Sequence, residues 1–280
     1  FTTDNGTSNG YKFNKKERKW YGYNAAMKGT KTSEYDGGHR VPLIMQWNDG
    51  NFKAGETYEG LSAHVDILPT LASLAGIEFR PQNILDGINL SSYLKNNTAS
   101  DRMLVTDTQR NQWPKKGKQS SVMYHSWRLV NGNELYNVAD DSGQEMNVFD
   151  DYPQMAKQLQ NYYDNWWADA SKEFEYSYID IEPVGINTLT SHDIHVNSIT
   201  AWHQRDVRKG IAFETGALKI NFKQSGTYEI TLRRWPLETS LPLTAEIDDA
   251  VPGTKYWDEQ KKGEAMAFDK AFICLLYTSP

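Results

Sequence analysis

Apolar positions recur with two different spacings along this chain, and the change of spacing divides it. Leu68, Leu71, Ala72 and Ala75 fall at i, i+3, i+4 and i+7, which predicts a helix with Asp66 as N-cap. Pro69 stands in its first turn and Gly76 just past its end. Val41-Pro42-Leu43-Ile44-Met45 is a continuous apolar run of the kind a buried strand shows, and Asn48-Asp49-Gly50-Asn51 follows as a turn. From Asp101 the pattern shortens into strands at Met103–Thr106, Ser120–Ser126, Arg128–Val130 and Glu134–Val138. The last two flank Asn131-Gly132-Asn133, a strong hairpin signal. After Pro153, the residues Met155, Leu159, Tyr162, Tyr163 and Trp166 return to helical spacing, which predicts one face packed on that sheet.

Residues 177–250 are β-rich, with expected strands at Ile186–Leu189, Ile194–Ile199, Ile211–Glu214, Ala217–Phe222 and Gly226–Arg233. In the last of these Tyr228, Ile230 and Leu232 alternate onto one face. Short strands with turns between them predict a sandwich. In the tail, Ala271-Phe272-Ile273 starts like a strand but Cys274–Pro280 does not continue it, so 251–280 is expected to be an incomplete tail.

Composition narrows the classes. With 39 % apolar and 12 % aromatic residues the chain can build a sizeable core. A balance of 30 basic against 36 acidic residues gives −6, which argues against general nucleic-acid affinity. No apolar run approaches the roughly 20 residues of a membrane-spanning helix. The single Cys excludes an intrachain disulfide.

Candidate chemistry gathers in two places. Tyr21–Pro42 sets Lys28, Lys31 and Arg40 among Gly22, Gly29, Gly37 and Gly38, and ends at the apolar run. Gly37-Gly38 allows positive φ and close approach of main chain to a ligand, so this loop reads either as an anion cradle or as a solvated basic loop. Phe1–Gly6 looks like the end of a strand, with Asp4-Asn5 at its carboxyl end, where open α/β sheets hold ligands. A carboxylate beside an amide carbonyl suits Ca²⁺ or Mg²⁺, whereas Asp-Asn-Gly alone is also an ordinary turn. Residues 6–21 read as a polar surface loop, whose Tyr11, Phe13, Trp20 and Tyr21, with Tyr23, either stack on sugar rings or anchor the loop. His64 is either a ligand or acid–base group, or a structural residue; without partners in the sequence the structural role is expected.

Taken in order, FTTDNGT, GYNAAMKGTKTSEYDGGHRVPLI, LSAHVDILPTLASLAGI and LDGINLSSYL resemble the type I sulfatases, arylsulfatase-like enzymes of the alkaline-phosphatase superfamily. The resemblance covers residues 1 to about 175; the remainder is similar to appendages of some bacterial sulfatases, notably over Tyr228–Glu238. It implies an α/β fold: 1–100 as the C-terminal portion of an alkaline-phosphatase-like sulfatase domain, then 101–176 as a small antiparallel-sheet-plus-helix subdomain. A β-sandwich-like accessory domain at 177–250 would follow. Asp4 and Asn5 fall on two of the family's calcium ligands, and Lys31 on the lysine that contacts the substrate's sulfate, a catalytic and substrate-binding role. Asp107, Gln109, Arg110 and Lys115–Lys118 fall in a loop that borders the family's cleft, and are otherwise a solvated basic loop.

The resemblance implies hydrolysis of sulfate esters, with sulfated small molecules or glycans as substrates, Ca²⁺ as cofactor and a periplasmic or secreted location. The family's formylglycine arises from Cys or Ser in C/S-x-P-S/T-x-R, a motif this sequence lacks; Cys274 lies far from the matching region. The chain is therefore expected to be a C-terminal fragment without the nucleophile, inactive by itself. Two other readings stay open: a phosphate mono- or diester hydrolase of the same superfamily, and a carbohydrate-binding β module at 177–250. For the latter, Trp202, His203, Arg233, Arg234 and Trp235 form either a sugar-binding face or core packing.

Overall fold

The computed structural model describes residues 1–8, 12–17, 19–47, 50, 52, 54–109, 111, 113–175, 177–196 and 216–245. They belong to two units, Phe1–Phe174 and Glu175–Pro280.

In the first unit a short antiparallel pair, β1 (Lys12–Asn14) and β2 (Lys19–Tyr21), precedes a single helical turn, α1 (Asp36–His39). Helix α2 spans Ile67–Leu74 and α3 spans Ser91–Asn96. The end of α2 is as its sequence predicts. Gly76 takes φ +66°, its N–H donates to Ser73 O, and Ile77 N–H donates to Ala72 O, closing the helix with a left-handed glycine. Two expectations for α2 are corrected. Asp66 makes no capping bond to it, because its carboxylate is held elsewhere (below). Leu68 and Leu71 are exposed while Thr70 and Ala72 are buried: the Thr70 hydroxyl accepts the Leu90 N–H at 2.9 Å and turns that face inward. The run Val41–Met45 is also not a buried strand. Only Leu43 is bridged, to Thr2, and Leu43 and Ile44 stay exposed, since no described element covers them.

Four strands follow, β3 (Met103–Asp107), β4 (Ser120–Tyr124), β5 (Trp127–Val130) and β6 (Glu134–Asn137), paired antiparallel in that order. Asn131 and Gly132 adopt φ +51° and +75°, the left-handed turn that the Asn-Gly pair favours. The register places Val105, Val122, Leu129 and Leu135 side by side across the sheet. Because side chains alternate between faces, these four share one face. Helix α4 (Pro153–Ala170), with proline at its first position, covers that face with Ala156, Leu159 and Tyr163. Tyr162, expected on the same stripe, lies at its margin and donates its hydroxyl to Met103 O at 3.0 Å. The opposite face carries Met123, Arg128 and Tyr136 in one row and Ser121, Val130 and Glu134 in the next. Arg128, Val130 and Tyr136 are buried too, so something polar must meet them.

In the second unit β7 (Ile179–Ile181) pairs in parallel with β8 (Ile220–Phe222), and His195 bridges Ala217. Of the expected strands, Ala217–Phe222 is realised in part, by the Ala217 bridge and β8, while the other described ones are not formed. Gly226–Arg233 is irregular, with Ile230 and Leu232 about half exposed, and Ile186–Leu189 likewise forms no strand. Alternation marks a face but supplies no hydrogen-bonding neighbour, and without one a strand does not form. Trp235 is buried beneath Arg234, whose guanidinium lies 4.5 Å from the ring centre, so it packs as core. Residues 197–199 of the expected strand Ile194–Ile199, the expected strand Ile211–Glu214, Trp202, His203, and the 251–280 tail with Cys274 lie outside the described residues, as do Tyr11, Asn48-Asp49 and Arg110. Among the described residues no helix is long and apolar enough to cross a membrane.

Candidate functional site

The two candidate segments meet along a seam of main chain. Phe1 N and O pair with Ile44 O and N, Gly6 N–H donates to Gly38 O at 2.9 Å, and Lys31 N–H donates to Thr7 O at 2.9 Å. Glycines permit this approach. A Cβ on Gly6 would sit 2.0 Å from Gly37 O, and one on Gly37 would meet Gly29 O at 2.3 Å and Lys28 O at 2.5 Å. The expectation of positive φ at Gly37-Gly38 is corrected: both lie in the right-handed turn α1, and they are glycines because backbone crowds them. Positive φ occurs instead at Gly22 and Gly29, the bends flanking Asn24, whose buried amide donates to Met27 O and Gly29 O.

Three polar groups at this seam are left without partners among the described residues. The Asp4 carboxylate makes no hydrogen bond or ion pair. Asn5 donates through Nδ2 to Gly6 O, which leaves its Oδ1 without a donor. The Lys31 ammonium is exposed and unpaired. A carboxylate and an amide oxygen on consecutive residues are hard donors of the kind an oxygen-loving divalent cation takes, and these two side chains would be part of the roughly six to eight oxygen ligands of Ca²⁺. No cluster of three or more His, Cys, Asp or Glu that could hold a metal ion occurs among the described residues.

Lys28 has a different environment. Its Nζ lies 4.1 Å from the Tyr35 ring centre, and donates to Gln144 O at 3.2 Å and to Tyr136 OH at 3.4 Å. It helps fasten the loop to the polar face of the sheet. Tyr35 and Tyr136 both donate to Glu134 Oε2, at 2.8 and 2.5 Å. Burial, then this carboxylate, pushes both phenols far above their ordinary range. At the centre Asp36, 1 % exposed, accepts from Arg128 Nε at 2.9 Å, while its own N–H donates to Gln144 Oε1 at 2.8 Å. Sequence reading missed this pair. Its one local trace is that Arg128 alternates with core residues Trp127 and Leu129.

His39 ends α1 beside this pair, with Nε2 donating to Glu34 O at 3.2 Å. Burial lowers its pKa, outweighing the opposing pull of Asp36. A base whose folded pKa lies below its unfolded value stabilises the fold above the unfolded pKa, about 6.5, and loses that contribution as pH falls through it. Thermal melts of wild type and His39→Gln between pH 8 and pH 5 are expected to diverge, the wild type losing more Tm below about pH 6.5. Parallel curves would show that His39 does not carry this loss.

A second buried pair lies behind Thr3. Arg102 grips Asp66 with both terminal nitrogens, and the same carboxylate accepts Ala63 N–H at 2.7 Å and Ile88 N–H at 2.9 Å. His64, in the turn between, reaches Thr3 O with Nε2 at 2.8 Å. Of the loop after β3, Gln109 bonds Asp107 and the Lys115 main chain, and Lys116 pairs with Asp164 of α4 at 2.8 Å. Gly117 N–H also donates to Tyr163 OH. Lys116 is thus fastened to the helix side of the sheet and not to the face bearing Arg128 and Tyr136.

Comparison with known proteins fits the seam's location. A family model described as Sulfatase matches residues 1–77. Steryl-sulfatase from Homo sapiens is 36 % identical over 74 residues, covering 26 % of this chain and 12 % of that protein. Arylsulfatase A from Homo sapiens is 42 % identical over 72 residues, 26 % of this chain and 14 % of that protein. Among solved structures, Ps i-CgsB in complex with k-i-k-neocarrahexaose superposes with a TM-score of 0.48 at 23 % identity, covering 59 % of this chain and 35 % of that one. The chain matches only 12 % and 14 % of the length of these two curated relatives. Over residues 1–77, therefore, this chain is similar to the sulfatases.

Proposed function

We propose that this chain forms part of a sulfuric ester hydrolase, and that its share of the active centre is Asp4, Asn5 and Lys31. The observation that carries the reading is the seam itself. Hydrogen bonds at Gly6–Gly38 and Thr7–Lys31 join the main chain that carries a carboxylate, an amide oxygen and an ammonium, none of them with a partner among the described residues. Asp4 and Asn5 would hold Ca²⁺, which when bound neutralises charge on an anionic ester. Lys31 binds the sulfate group and stabilises charge on its oxygens as the S–O bond breaks. The sequence contains no motif for a formylglycine, so in this reading that group comes from other polypeptide and the chain alone does not turn over ester.

The ester's alcohol, in this reading, belongs to a carbohydrate. Tyr23, 84 % exposed beside the loop, presents a ring on which a sugar can stack. An extracytoplasmic, periplasmic or secreted location is part of the same proposal.

Calcium titration of the chain by calorimetry tests the metal half. The wild type is expected to take up Ca²⁺, and Asp4→Ala to weaken binding tenfold or more, the loss of about 1.4 kcal/mol. Absence of any calcium heat in the wild type, or equal binding by the variant, would remove Asp4 from the metal.

A further inference from the structure

We infer that His64 is a positioning residue for the Asp4–Asn5 cation site, acting through the carbonyl of Thr3. The inference rests on the proposed metal role of Asp4 and Asn5, and its geometry is independent of it. The Asp4 side chain has no hydrogen bond among the described residues, so only its main chain fixes where the carboxylate points. That main chain is pinned on both sides. After Asp4, Gly6 N–H is held by Gly38 O at 2.9 Å. Before it, Thr3 O accepts from His64 Nε2 at 2.8 Å, a contact across 61 residues of sequence. Between the pins, Thr3 Oγ1 donates to Asn5 O at 3.2 Å.

A pin works only if it is rigid, and His64 stands on a rigid base. It opens the 3₁₀ turn His64–Asp66, and Asp66, 1 % exposed, is locked by Arg102 and by the N–H groups of Ala63 and Ile88. The imidazole itself is exposed. Its bond to Thr3 therefore adds little to global stability, as surface contacts do, while it removes freedom from the peptide next to the ligand. Holding groups behind a metal ligand typically accounts for 10–100-fold in affinity. The Nε2–H donor is present in the neutral Nε2–H tautomer and in the imidazolium alike, so the pin does not require a particular charge on the ring.

The test compares the full chain with His64→Ala and His64→Gln by calcium calorimetry, by amide hydrogen exchange at Asp4 and Asn5, and by thermal melting. His64→Ala is expected to weaken calcium binding about tenfold and to speed exchange at both amides, with Tm essentially unchanged. His64→Gln, which keeps an N–H donor, recovers most of the affinity. Wild-type calcium affinity in His64→Ala overturns the positioning role while leaving Asp4 and Asn5 as ligands. A drop in Tm with no rescue by Gln makes His64 a structural staple and also overturns it. A wild-type chain that takes up no calcium removes the metal reading, and this inference with it.

Discussion

In the sulfuric ester hydrolase proposed above, Lys31→Ala is expected to lower kcat/KM for sulfate-ester hydrolysis by about two orders of magnitude. The magnitude is that of removing one preorganised donor from developing negative charge. Lys31 is suited to this because nothing among the described residues neutralises it, whereas Lys28 is already committed to Tyr35, Tyr136 and Gln144. Its main chain is fixed by the Thr7 carbonyl, so the ammonium swings from an anchored base. Lys31→Arg retains charge but replaces a compact ammonium with a planar fork, and is expected to recover only part of the rate. Steady-state kinetics on a chromogenic aryl sulfate decides it, since an unchanged kcat/KM in Lys31→Ala excludes contact with the reacting group.

The largest stability effect is expected at the buried pair that clamps the same loop to the sheet. Asp36→Ala leaves Arg128, itself 5 % exposed, without its carboxylate in a water-poor site. Uncompensated buried charge of this kind costs about 3–5 kcal/mol. Arg40, 3.6 Å from the other carboxylate oxygen, and the nearby His39 lose their counter-charge as well. Replacing both partners, Asp36→Leu with Arg128→Met, is expected to cost less than Asp36→Ala alone, because the desolvation of both charges is then avoided. Urea unfolding followed by tryptophan fluorescence measures the two variants on one scale. A single variant within about 0.5 kcal/mol of wild type would mean that the site admits water and the clamp is not a buried ion pair.

These effects separate what was legible from what was not. Local periodicity located all four strands of the antiparallel sheet within one or two residues, and the start of α4 at Pro153, because period and turn chemistry are properties of adjacent residues. Gly76 and Asn131-Gly132 were legible for the same reason, each being the residue type its φ demands. Patterns whose outcome depends on a distant partner were not legible. Tyr228, Ile230 and Leu232 alternate cleanly yet form no strand, and Leu68 and Leu71 keep helical spacing yet face outward. In each case the apolar pattern names a face, and which face is buried depends on what lies opposite.

The sequence by itself therefore determined the elements of residues 101–170, the motifs of residues 1–77 and the candidates Asp4, Asn5 and Lys31. Only the tertiary structure decided that Lys28 is committed to Tyr35, Tyr136 and Gln144, that Asp36 meets Arg128 across 92 residues, and that His64 holds Thr3. The physical reason is that backbone geometry is set by near neighbours, while charge pairing and main-chain anchoring are set by contacts between segments far apart in the chain. Glycines at 6, 37 and 38 join the two levels: they are visible in the sequence, but the carbonyls they make room for are visible only in the fold.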